Sequence, residues 1–173
     1  VPYSAAGLPV AQVAVERDGA VSEPVTLLTS ATAPALFTLP GSGAGQAAAL
    51  NQDGTVNTAA NPVQRGDVIV LFGTGEGALS PAPPDGAGGA PPQNTPQADN
   101  TVRKGNAHPP IHYARPPPRR GAGGLPIHAP GLVSGVLQIN ARVPLAILGG
   151  PETPVSFTAG PARSPAGVTI AVD

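Results

Sequence analysis

The sequence predicts an all-β protein built as a two-sheet antiparallel sandwich, and three features of its 173 residues carry that prediction. Val, Ile and Leu recur in short runs that alternate with polar residues, the period of a half-buried strand. Gly (23) and Pro (24) exceed a quarter of the chain and fall between those runs, where they serve as turn chemistry. Aromatics are 3% and Trp, Met and Cys are absent, so the core must be thin and aliphatic. Its few large fillers are Tyr3, Phe37, Phe72, Tyr113 and Phe157.

The strands follow in order. In residues 10–16 (VAQVAVE), Ala11, Val13 and Val15 share one face, and Arg17-Asp18-Gly19 is a tight-turn signal. Residues 21–29 return as the second arm of a hairpin, with Pro24 placing that arm late or at an edge. A short strand is expected at 35–39 (ALFTL), and two extended pieces at 47–57 around Asp53-Gly54. Residues 67–72 (DVIVLF) are a continuous apolar run, read as a central strand buried on both faces. Residues 80–100, rich in Pro, Gly, Ala and Asn, are expected to be a long surface loop, as are 115–131. The clearest strand is 136–143 (VLQINARV), with Leu137, Ile139, Ala141 and Val143 on one face. Residues 154–158 and 168–172 close the chain, pointing Val155, Phe157, Val168, Ile170 and Val172 inward. Short alternating strands with turn signals between them predict an antiparallel sandwich.

An internal echo divides the chain. Val1-Pro2 matches Val143-Pro144, and the strand around Val13 and Val15 matches that around Val155 and Phe157, about 142 residues later. Ser22-Glu23-Pro24-Val25 resembles Ser164-Pro165 ahead of Val168. Residues 1–30 are therefore expected to be the closing hairpin of a preceding, incomplete sandwich, or a strand-donating segment. Residues 31–173 are expected to be one complete domain ending in its own version of that hairpin. A lone hairpin is marginal in water, so 1–30 must pack on the main domain or complete another chain.

The stretches VPYSAAG, VERDGAVSEPVTL, APALFTL, GSGAGQAAALNQDGTVN, NPVQRGDVIVLFGTGEG, PGLVSGVLQINARVP and SPAGVTIAV span nearly the whole chain. In that order they resemble the uncharacterised C-terminal domain abundant in large secreted proteins of acidobacteria, an immunoglobulin-like β-sandwich tail. The resemblance implies export, to the extracellular space or cell surface, and a modular, non-catalytic role; it supplies no site residues. The family's pattern places a strand near residues 102–114, where Lys104 stands at a usually apolar position, and residues 115–128 look like an insertion; residues 103–128 are either a genuine exposed basic loop or a local change of reading frame.

No polar cluster in the sequence forms a complete catalytic set. His108 and His112 have the four-residue spacing of paired zinc ligands, but Pro109-Pro110 preclude the helix that would align them. Asn51, Asp53 and Asn57 around Gly54 resemble a calcium loop without its bidentate acid. Arg115, Arg119 and Arg120 flank Pro116 to Pro118 as a stiff basic arm, a candidate partner-binding loop. Arg65-Gly66-Asp67 spells an adhesion tripeptide but runs straight into a strand. Gly73-Thr74-Gly75-Glu76-Gly77 lacks the spacing and Lys of a phosphate loop and reads as a turn.

A net charge of −1 argues against nucleic acid, and no apolar stretch approaches the length of a membrane helix. No cofactor is expected. The expected function is a non-catalytic extracellular structural or adhesion module, making protein–protein contacts and joining copies of itself by strand addition into a filament or surface array. The alternative is a carbohydrate-binding accessory module of a larger secreted enzyme, with a glycan as partner.

Overall fold

The computed structural model describes residues 5–82, 84, 95, 96, 98, 100–104 and 135–173. Its regular structure is almost wholly strand. The N-terminal region holds β1 (Val10–Val13), β2 (Glu16–Arg17), β3 (Ala20–Val21) and β4 (Val25–Leu28). There follow β5 (Ala35–Leu36), β6 (Gly45–Gln46), β7 (Ala49–Leu50), β8 (Val68–Thr74), β9 (Leu79–Ser80) and β10 (Thr95–Pro96). The chain continues through β11 (Asn100–Lys104), β12 (Leu137–Arg142), β13 (Gly150–Ala159), β14 (Ala162–Arg163) and β15 (Val168–Val172).

Two sheets form the sandwich. One runs β11-β13-β15-β6, with β14 folded back on β13, and the other runs β12-β8-β5, with β7 also on β8. One core cluster draws Leu36, Ile69, Leu71, Leu137 and Ile139 from the second sheet and Val102, Val155, Phe157, Val168 and Ile170 from the first. The alternation in 136–143 explains its placement: Leu137, Ile139 and Ala141 are buried, while Gln138 and Asn140 are only half-buried. Burying each such aliphatic or aromatic side chain is worth about 1.5–3 kcal/mol.

Several expectations are corrected. β8 is central in its sheet, but only Ile69, Leu71 and Gly73 are fully buried; Val68, Val70 and Phe72 on its other face are half-covered. Phe37 is exposed and Phe72 half-buried, leaving Phe157 as the one described aromatic in the core. The chemistry behind that is strand parity, since Phe37 and Phe72 fall on outward positions. Residues 80–100 are not all loop, because β9 and β10 pair at Thr95↔Ser80 and Pro96↔Leu79. The sandwich is not purely antiparallel either: β15 meets β6 in parallel, through Val168↔Gly45 and Thr169↔Gln46. The expected loop at 115–131 lies outside the described residues.

The run Gly73-Thr74-Gly75-Glu76-Gly77 begins as the end of β8 rather than as a turn. Its glycines let another stretch of backbone lie directly against it. A Cβ on Gly73 would sit 2.7 Å from the Ala35 carbonyl oxygen, and one on Gly75 would overlap that of Ala33. The Ala33 amide donates to the Gly75 carbonyl at 2.9 Å across this contact.

Candidate functional site

Among the described residues, the N-terminal hairpin leaves a row of large apolar side chains exposed. β1 and β4 pair in antiparallel register, Ala11↔Leu27 and Val13↔Val25 among the pairs. Beyond them β2 and β3 form a tight loop through Asp18 (φ 53) and Gly19 (φ 80), the two left-handed residues a type I′ turn demands. Where the strand breaks at Ala14, Ser22 holds the kink together: its Oγ accepts the Val15 amide at 3.0 Å, and its own amide donates to the Val15 carbonyl at 2.9 Å. Thr29 ties the base by donating from Oγ1 to the Leu8 carbonyl.

Alternation places Ala11, Val13, Val15, Val25 and Leu27 on one face. Val13 is 46% exposed, Val15 66%, Val25 59% and Leu27 49%. Both edges are open too, since among the described residues β1 and β4 pair only with each other. An apolar face with two unpaired edges is a template for another sheet.

The same motif recurs at β13–β15, down to single hydrogen bonds. There β14 pairs with β13 through Thr158↔Arg163 and Ala159↔Ala162, the counterparts of Glu16↔Val21 and Arg17↔Ala20 in β2 and β3. The Ser164 Oγ accepts the Phe157 amide at 3.0 Å, and the Ser164 amide donates to the Phe157 carbonyl at 2.7 Å. With one extra residue between Ser164 and Val168, the pair Thr153↔Ile170 corresponds to Ala11↔Leu27. Besides that extra residue and an irregularity in β13 between Gly150 and Thr153, burial is what differs. Val155, Phe157, Val168 and Ile170 are all at most 4% exposed, because the sheet of β12, β8 and β5 covers them.

Asn51 and Asn57 form part of a polar staple. The Asn57 carboxamide donates to the Ala171 carbonyl and to Asn51 Oδ1, both at 2.9 Å, and accepts the Ala171 amide and Gln46 Nε2, also at 2.9 Å. Asn51 Nδ2 in turn donates to the Asn61 carbonyl at 3.0 Å. The two Oδ1 atoms a cation would need are thus already hydrogen-bonded acceptors. Asp53 stands apart at the exposed turn. Its Oδ1 accepts the Thr55 hydroxyl at 2.7 Å and the Thr55 amide at 3.0 Å. Those two bonds, the hydroxyl's foremost, hold its carboxyl below the usual carboxylate range. Sequence reasoning found Asn51 and Asn57 by type but missed Gln46, Asn61 and Ala171, which only tertiary pairing brings in.

Beside this staple, Asn51, Gln52, Asp53, Asn61, Pro62, Val63, Gln64 and Asp67 line an open cleft of about 340 Å³. Amide and carboxylate side chains line it together with Pro62 and Val63, and no aromatic ring does. Among the described residues no three His, Cys, Asp or Glu side chains group as a metal centre would. The Arg65-Gly66-Asp67 tripeptide is pinned to the chain after β12: the Gly66 amide donates to the Val143 carbonyl, the Val143 amide to the Asp67 carbonyl, and Arg142 Nη1 to the Gly66 carbonyl. The candidates His108, His112, Arg115, Arg119 and Arg120 lie outside the described residues. No family model, curated protein or solved structure matches the chain.

Proposed function

We propose that the protein is a non-catalytic structural or adhesion module of the cell exterior, with an immunoglobulin-like sandwich that associates with neighbours through its N-terminal strands. In its fullest form this association joins copies by strand addition into a filament or surface array. One observation carries the reading: an apolar hairpin face, with both edges unpaired among the described residues, stands exposed while the core of the sandwich is buried. Contacts of this kind combine main-chain pairing with apolar burial. The resemblance of the quoted stretches to tail domains of secreted proteins supports the exterior location and the absence of catalysis.

Light scattering after size-exclusion chromatography tests association over a concentration series. Concentration-dependent oligomers that Leu27→Asp abolishes are expected, and a strict monomer at high concentration overturns copy-to-copy assembly. The carbohydrate-binding reading is favoured by a single feature, the amide- and carboxylate-lined cleft between Asn51 and Asp67. A glycan array without signal removes it.

A further inference from the structure

Resting on the reading that the N-terminal strands are the association surface, we infer what covers them: the open inner face of a second sandwich segment built like residues 31–142, lacking its own closing hairpin. The template for this contact lies within the same chain. From Thr153 on, residues 150–173 have the pairing register, the back-folded β2/β3-type arm and the serine lock of residues 8–30, and they are seated on β8, β12 and β5. Val13, Val15, Val25 and Leu27 occupy the positions of Val155, Phe157, Val168 and Ile170, so they present the same inward face to an equivalent sheet. The edges agree as well. β13 takes β11 on its free side, and β15 takes β6, whereas the corresponding edges of β1 and β4 are unpaired among the described residues.

A closed copy of this protein cannot take the hairpin into its groove, which already holds 150–173, so association between copies runs through the open edges of β1 and β4 instead. The side chains differ at two places that matter. Phe157 fills a pocket where the N-terminal copy has Val15, and the fully buried Ala159 corresponds to Arg17, whose side chain is 89% exposed. The natural acceptor therefore needs a shallower pocket opposite Val15 and an open rim beside Arg17.

The test extends the full chain at its N-terminus with residues 31–142 joined directly to Val1, which stands where Val143 follows Arg142. Amide exchange across β1 and β4 is compared with the unextended chain, for the native hairpin and for a Val15→Phe/Arg17→Ala variant matched to this particular groove. Protection rising by about tenfold or more in either, with a fall in dye binding to exposed apolar surface, is the expected result. Leu27→Asp should erase that gain without moving the melting of 31–173. Unchanged exchange in both the native and matched hairpins overturns the inference. The two readings fail separately. A monomeric unextended chain with a protected hairpin in the extended one removes copy-to-copy assembly alone; an oligomeric unextended chain with both extended hairpins unprotected removes only the closing role.

Discussion

The side chain of Asn57 pairs with the backbone of Ala171 as a strand would, accepting its amide and donating to its carbonyl across a sequence separation of 114 residues. It covers the stretch of the β15 edge between β6, which pairs at Val168 and Thr169, and Val63, whose amide donates to the Ala171 carbonyl at 3.1 Å. Asn57→Ala strips the Ala171 amide of its acceptor in a buried site and leaves Asn51 and Gln46 short of partners. A loss of about 2–4 kcal/mol is expected, at the scale of two buried polar groups left unsatisfied. Urea denaturation checks it; a change below about 0.5 kcal/mol would show that the staple is decorative.

The duplicated hairpins make paired substitutions informative. Phe157→Ala empties the largest fully buried site, and a loss of about 3–5 kcal/mol is expected. Val15→Ala, at the corresponding exposed position, should change the unextended monomer by less than about 0.5 kcal/mol. The serines should follow suit, with Ser164→Ala leaving the buried Phe157 amide unsatisfied and Ser22→Ala nearly silent. Equal losses at the two serines would mean that both hairpins share one environment.

Gly75 and Gly54 both hold left-handed backbone, at φ 79 and φ 84, but of the two only Gly75 lies against another stretch of backbone, at Ala33 and Pro34. Gly54→Ala meets open space and should cost about 1–2 kcal/mol for the strained dihedral alone. Gly75→Ala also drives a methyl into the Ala33 carbonyl, so a loss above about 4 kcal/mol or failure to fold is expected. Thermal melts of the two variants rank them.

Asp53 gives the protein a small acid-side dependence whose sign is fixed. Its folded-state carboxyl titrates below the unfolded value, so the stability it contributes is fully present above that unfolded value. It is lost as pH falls through the lower folded value. Thr55→Val deletes the hydroxyl that contributes most and should raise the Asp53 titration midpoint toward the ordinary range in a carbon-detected NMR titration. An unmoved midpoint would assign the shift to the Thr55 amide instead.

Legibility varied with the range of the interactions involved. β12, β13 and β15 could be read from local alternation, because Leu137, Ile139, Phe157 and Ile170 each lie on a strand long enough to show its period. β6 and β7 are two residues each, and only their partners Val168 and Leu71 make them strands. Phe37 and Phe72 misled because residue type promised burial while strand parity turned them outward. The hairpin echo was visible as matching residue types, but the opposite burial of Val15 and Phe157 is set by the sheet that covers one of them and appears in neither sequence.

The parallel contact of β15 with β6, and that of Asn57 with Ala171, has a consequence for the order of synthesis. At about 5–20 residues per second, a ribosome makes Ala171 on the order of ten seconds after Asn57. Once residue 142 is added, the strands between residues 31 and 142 and hairpin 8–30 are all made, and the stretch through Asp173 follows within about 2–6 seconds. In the folded chain that groove holds the later hairpin, 150–173, while hairpin 8–30 stands exposed. Phe157 and Ala159 fill that groove where hairpin 8–30 carries the smaller Val15 and the charged Arg17, so the core is closed by the segment made last.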